Sequence, residues 1–173
     1  MDRLIEYKIP FKGISEGLHE YDFHVQDSFF DAMESELIHK ADIQVKLKLD
    51  KQSRMIILDF DIQGKVVLTC DRCLGDLDFP ISITHQVIVK YGKGDKEQDN
   101  DILYLADEEY QLDVSTLIYE NIVLSIPIRN VHPDDENGNS TCDEEQISLL
   151  DKYSKKSGID PRWDALKNLK LED

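Results

Sequence analysis

Residues 56–91 read IILDFDIQGKVVLTCDRCLGDLDFPISITHQVIVKY, and the alternation within this stretch decides the fold. Ile56, Leu58, Phe60, Ile62, Val66 and Leu68 share one parity, and beyond the cysteines so do Phe79, Ile81, Ile83, Val87, Val89 and Tyr91. Successive side chains of a strand point to opposite faces, so each run predicts a long strand with one buried face. Cys70-Asp71-Arg72-Cys73 is then the tip of a β-hairpin. Gly64 interrupts the first run and marks either a bulge in one strand or a tight hairpin of its own.

The same period extends upstream. Ile43, Val45, Leu47 and Leu49 alternate with Gln44, Lys46 and Lys48; Tyr21, Phe23 and Val25 alternate with Asp22, His24 and Gln26; Ile5, Tyr7, Ile9 and Phe11 do so near the start. Helices are expected in four places. Asp27 caps a short helix carrying Phe29, Phe30, Met33 and Leu37, and Asp113 caps one carrying Val114, Leu117, Ile118, Ile122 and Leu124 that stops before Pro127. Residues 146–153 read as a short helix. Ile102–Leu105 and Tyr110–Leu112 are short strand candidates, and 93–100 is a flexible polar loop. Asp160-Pro161 starts a C-terminal helix over 160–170 whose apolar face is Trp163, Leu166 and Leu169. The sum is a single α+β domain over 1–173, an antiparallel sheet with a long central hairpin and helices packed on it.

The cysteine pair carries the chemistry. With two residues between them, two thiolates turn toward one ion while NH groups of the turn point at the sulfurs. His132 and Cys142, in the acidic loop 132–145, are the residues suited to complete the set with Cys70 and Cys73. Four such donors close a tetrahedron, the pattern of a structural metal such as zinc, with no open position for chemistry. Nine residues separate His132 from Cys142, so the loop must fold back, and Gly138 allows a turn there. Two other readings exist: unligated thiols on a tight turn, or a redox pair. Redox chemistry needs the first cysteine at a helix N-terminus, and here strands flank the pair. His85 sits at an apolar-face position and reads as a core histidine; His19, His24 and His39 lack partners at ligand spacing. The sequence contains no phosphate-cradling glycine loop and no nucleophile elbow, so no catalytic residue, cofactor-binding motif or small-molecule substrate is expected.

Composition narrows the partners. The net charge is −16, and residues 93–151 hold 16 acidic residues against 3 basic ones. Such a field repels phosphate, so contact with RNA has to be local or pass through a basic protein. The C-terminal segment offers Lys152, Lys155, Lys156, Arg162, Lys167 and Lys170 around Trp163, where phosphate pairing and base stacking compete with plain packing on the sheet. Three cysteines argue against a disulfide framework, the N-terminus lacks the order of a signal peptide, and no apolar run is long enough to span a membrane. A cytoplasmic protein is expected.

Taken in order, Gly64 to Leu74, Asp113 to Glu120, Ile122, Leu124, Ile126-Pro127, Val131-His132, Cys142 and the Asp160-Pro161 to Leu169 segment resemble the YceD family, the large ribosomal RNA subunit accumulation proteins. The resemblance covers residues 54–173; the first fifty match only in strand pattern. It implies a non-enzymatic cytoplasmic protein needed for accumulation of 23S ribosomal RNA through its synthesis, processing or stability. The implied partner is large-subunit ribosomal RNA precursor or a basic ribosomal or assembly protein. The family's cysteine and histidine pattern falls on Cys70, Cys73, His132 and Cys142, although some members carry a further cysteine near the position of His132. A metal-dependent RNA-processing enzyme, or a structural zinc module with an unrelated protein partner, are the alternatives.

Overall fold

The alternating runs become three long neighbouring strands in the computed structural model, which describes residues 4–92, 102–106 and 108–154. Strands β3 (Lys40–Lys51), β4 (Met55–Thr69) and β5 (Asp76–Tyr91) pair antiparallel. Lys51 lies opposite Ile56 on one side of β4, and Thr69 lies opposite Asp76 on the other, so β4 and β5 form the long central hairpin. β2 (Gly17–Gln26) flanks β3 and β6 (Ile102–Leu105) flanks β5, giving the order β2-β3-β4-β5-β6.

The last pair corrects the all-antiparallel expectation. β6 runs parallel to β5, with Ile88 beside Ile102 and Tyr91 beside Leu105. Alternation reports a strand's faces and not its direction, so a four-residue strand gave no sign of this. The chain need only travel back about 13 Å to reach that register. A second, two-stranded sheet joins β1 (Lys8–Ile9) to β7 (Leu112–Asp113), which ties the N-terminal segment to the start of a helix.

One face of the large sheet is the core wall. Ile43, Val45, Leu47, Leu49, Ile56, Leu58, Ile62, Val66 and Val89 are all but inaccessible to water. Each such aliphatic side chain contributes roughly 1.5–3 kcal/mol of burial. Over them pack Phe29 and Phe30 of α1 (Asp27–Ala32), Ile118 and Ile122 of α2 (Ser115–Ser125), and Tyr7, Ile9 and Phe11. Tyr7 stacks on Phe23 with ring centroids 5.2 Å apart and meets Phe29 edge-on at 4.9 Å. The Asp113 carboxylate accepts the Ser115 N–H at 2.9 Å, as a capping acid should, and α2 stops at Ser125, two residues before Pro127. α1 ends sooner than its apolar spacing predicts: Glu34 turns left-handed (φ 54°), and Leu37 is exposed.

Gly64 makes neither a bulge nor a hairpin. It stays in β4 with unbroken register, between Ile43 and Ile81. A Cβ there would lie 2.2 Å from the Asp42 carbonyl oxygen, so the position requires the absence of a side chain. His85 keeps its core-side parity opposite Phe60 but is exposed, because it opens into a groove of about 570 Å³ between β5 and α2 rather than into the core. A third helix, α3 (Glu144–Ser154), begins two residues earlier than expected, where the Asp143 carboxylate accepts the N–H groups of Glu145 and Gln146. Among the described residues no helix is long and apolar enough to cross a membrane. The loop 93–100 and the helix expected over 160–170, with Trp163, lie outside the described residues.

Candidate metal centre

The tip of the central hairpin, between β4 and β5, is the Cys70–Cys73 turn. It closes through the Cys70 N–H to the Gly75 carbonyl and the Leu74 N–H to the Cys70 carbonyl, both at 2.9 Å, with Leu74 left-handed (φ 60°). That geometry folds both sulfurs inward. Past α2 the chain returns to the same tip. Asp71 and Asn130 join main chain to main chain, placing Val131 and His132 beside the turn.

The long gap between His132 and Cys142 is taken up by a small self-contained loop. Asp134 and Ser140 form an antiparallel bridge, and the Asp135 carboxylate accepts the N–H groups of Asn137 and Asn139. Gly138 makes the left-handed turn (φ 81°), and the Thr141 hydroxyl donates to the Pro133 carbonyl at 2.6 Å. These bonds hold the Asp135 carboxyl below the usual carboxylate range, chiefly through the Asn139 N–H. The loop therefore brings residues 132 and 142 together at its base.

All four residues singled out by spacing meet. One donor atom from each of Cys70, Cys73, His132 and Cys142 lies within 4.8 Å of every other. Cys70 Sγ and Cys142 Sγ are 3.9 Å apart, Cys73 Sγ and His132 Nδ1 3.4 Å, and Cys142 Sγ and His132 Nδ1 3.8 Å. A tetrahedral zinc with ordinary bond lengths separates two sulfurs by about 3.8 Å and sulfur from nitrogen by about 3.6 Å. The cluster is geometrically compatible with a structural metal such as zinc. The imidazole is oriented for it: His132 Nε2–H donates to the Asp76 carbonyl at 3.0 Å, which leaves the Nδ1 lone pair facing the thiols. Cys70, Cys73 and Cys142 are buried with Leu77, and Val131 and Ile147 pack around them.

The electrostatics point the same way. Burial pushes the Cys70 thiol up, but hydrogen bonds from the backbone N–H groups of Cys73, Arg72 and His132 outweigh it and bring the thiol down to about 6. Cys73 is lowered by the N–H groups of Gly75 and Asp143. His132 is raised, chiefly by its contact with Cys70. Cys142 is raised: its bond with Ser140 lowers it, and burial and the neighbouring Cys73 and Cys70 sulfurs overcome that. Backbone N–H groups thus favour the thiolate at Cys70 and Cys73, while the neighbouring sulfurs hold Cys142 as the thiol; a cation bound among them would relieve that repulsion and favour the third thiolate.

Sequence reading did not find Asp71, Asn130 or Asp143. Their contribution is made through backbone groups and one carboxylate, which leave no ligand-type signature; the only hint was an acid inside the cysteine turn. Arg72, the other residue of that turn, has a guanidinium nitrogen 3.8 Å from the Asp134 carboxylate.

A family model described as "Large ribosomal RNA subunit accumulation protein YceD" matches residues 58–170, which includes the hairpin tip and all four donors. Over 155 residues the chain is 26% identical to a Bacillus subtilis (strain 168) protein described as "Uncharacterized protein YlbN", a match that covers 89% of each. No solved structure matches the chain significantly.

Proposed function

The chain belongs to the YceD family, and on that premise we propose that it is a non-enzymatic ribosome-biogenesis factor, a binding scaffold braced by a structural metal, that supports accumulation of 23S ribosomal RNA. The brace rests on the convergence of four protein donors on one point, and the ribosomal role rests on the family match over residues 58–170. Four donors fill a tetrahedron and leave no position for a substrate, which favours a brace over a metal-dependent RNA-processing enzyme. The acidic charge of residues 93–151 favours a basic ribosomal or assembly protein as the direct partner, with ribosomal RNA precursor engaged through it. The setting we propose is the cytoplasm.

Deleting the gene and measuring the ratio of large- to small-subunit RNA tests the role. The ratio should fall; an unchanged ratio would remove it. The second reading, a structural zinc module with a partner unrelated to the ribosome, draws equally on the donor cluster. Affinity capture with and without nuclease separates the two. Large-subunit components in either eluate support the first, and their absence from both supports the second.

A further inference from the structure

β2 is the outermost strand of the large sheet, and among the described residues no strand pairs with its far edge. Every second residue of an antiparallel edge strand turns its N–H and C=O away from its neighbour. Edges are ordinarily guarded by brevity, proline, a bulge or charged side chains, lysine above all. β2 carries acids as its only such guard: it runs ten residues, GLHEYDFHVQ, without proline or lysine, and its register with β3 is unbroken from Gly17 opposite Lys51 to Gln26 opposite Asp42.

The charges on the solvent face add a second observation. Glu20 lies opposite Lys48, which lies opposite Asp59; Asp22 lies opposite Lys46, which lies opposite Asp61. Each row alternates in sign across three strands and ends in an acid at the open edge. These six side chains line a shallow depression of about 720 Å³ on that face, where four carboxylates outnumber two ammonium groups. Opposite charges facing across neighbouring strands stabilise a sheet, and like charges there destabilise it. A second copy paired antiparallel about Tyr21 would set Glu20 and Asp22 of one chain against Asp22 and Glu20 of the other. A strand with basic side chains would continue both rows. Leu18, 62% exposed on the same face, offers an apolar contact beside them.

We propose that the free edge of β2 docks an extended basic segment of a partner protein, which adds as a further strand with Lys or Arg at alternate positions facing Glu20 and Asp22. Main-chain pairing supplies the fixed register, and the two acids select the sign. This names the partner chemistry at one surface, and it rests on the reading above only for where such a partner comes from.

The test titrates full-length protein with a fluorescent decapeptide that alternates Lys and Thr. One control has the same composition with its lysines in a block; another is the alternating peptide N-methylated at every second residue. The alternating peptide should bind at least about ten-fold tighter than either control. It should also slow hydrogen exchange in β2, and the Glu20→Lys, Asp22→Lys double variant, folded by circular dichroism, should lose that binding. Equal binding of all three peptides, no binding at all, or unchanged exchange in β2 would overturn the proposal. So would a concentration-dependent dimer that protects β2, since the occupant would then be a second copy. The proposed role fails separately. Large-subunit components captured undiminished by the double variant would sink the docking edge and leave that role standing. Peptide binding as expected, with no such component captured by the natural protein, would do the reverse.

Discussion

Asp71 and Asn130 exchange two hydrogen bonds: the Asp71 N–H donates to the Asn130 carbonyl at 2.7 Å, and the Asn130 N–H donates to the Asp71 carboxylate at 2.6 Å. One partner lies inside the cysteine turn and the other two residues before His132. The histidine is thus fixed relative to the thiols by a link that does not depend on the donors themselves. Asn130 is 8% exposed, so its N–H has little water to fall back on.

Asp71→Ala should therefore weaken metal binding by about 10- to 100-fold, the usual effect of losing a group that orients ligands. Asp71→Asn, which keeps an acceptor oxygen, should recover most of that loss. Competition against a chromophoric chelator reads both. If Asp71→Ala binds as tightly as the natural protein, the cysteine turn alone orients the site and the clamp has no positioning role.

Metal removal should cost stability, because the donors join the hairpin tip to the segment after α2 and close a long loop. Metal present at about 1,000 times its dissociation constant adds about 4 kcal/mol. For a chain of this size that corresponds to a Tm higher by about 8–16 °C. Chelator should abolish the difference, and Cys142→Ser should lower Tm comparably and make it insensitive to chelator. Cobalt in place of zinc should show the intense visible absorption of a tetrahedral site. A Tm indifferent to chelator, with weak octahedral cobalt bands, would remove the brace.

Much of this architecture is legible from residue type and spacing, and the exceptions share a cause. Ile43 to Leu49 and Ile56 to Leu68 reveal their strands because a buried face and a wet face demand alternation. Cys70, Cys73, His132 and Cys142 stand out because few side chains bind soft metals. What alternation does not encode is direction and neighbour. The parallel β6 and the pairing of Lys8–Ile9 with Leu112–Asp113 are set by main-chain groups that every residue carries, and the Asp71–Asn130 link by such groups together with one carboxylate of a common type. His85 misleads because parity assigns it a side of the sheet, whereas burial also requires something to cover that side, and α2 leaves a groove there.

Gly64 gives a sharp contrast between two glycines. A Cβ at Gly64 would sit 2.2 Å from the Asp42 carbonyl oxygen and 2.6 Å from the Ile43 Cα, both backbone atoms that cannot swing aside. Gly64→Ala should force β3 and β4 apart and destabilise by about 3 kcal/mol or more. At Gly13 nothing lies within 4 Å of such a Cβ, so Gly13→Ala should change stability by less than about 1 kcal/mol. Urea unfolding of the two variants decides it; equal midpoints would mean that β4 shifts to accommodate the methyl group.

Tyr7 ties alkaline stability to the core. Burial, and then the neighbouring Glu6 carboxylate, push its phenol from 10.0 up to about 12. The unfolded chain ionises this tyrosine first, so the native state's preference for the neutral ring is fully present below about pH 10 and is lost as pH climbs toward 12. The loss amounts to something on the order of 2 kcal/mol. Tyr21 and Tyr91 are raised in the same sense, so part of the alkaline transition persists without Tyr7. Tyr7→Phe keeps the stacked ring and removes the ionisable hydroxyl. Its Tm should fall less steeply between pH 10 and 12 than that of the natural protein. Parallel Tm–pH curves for the two would show that Tyr7 does not carry the transition.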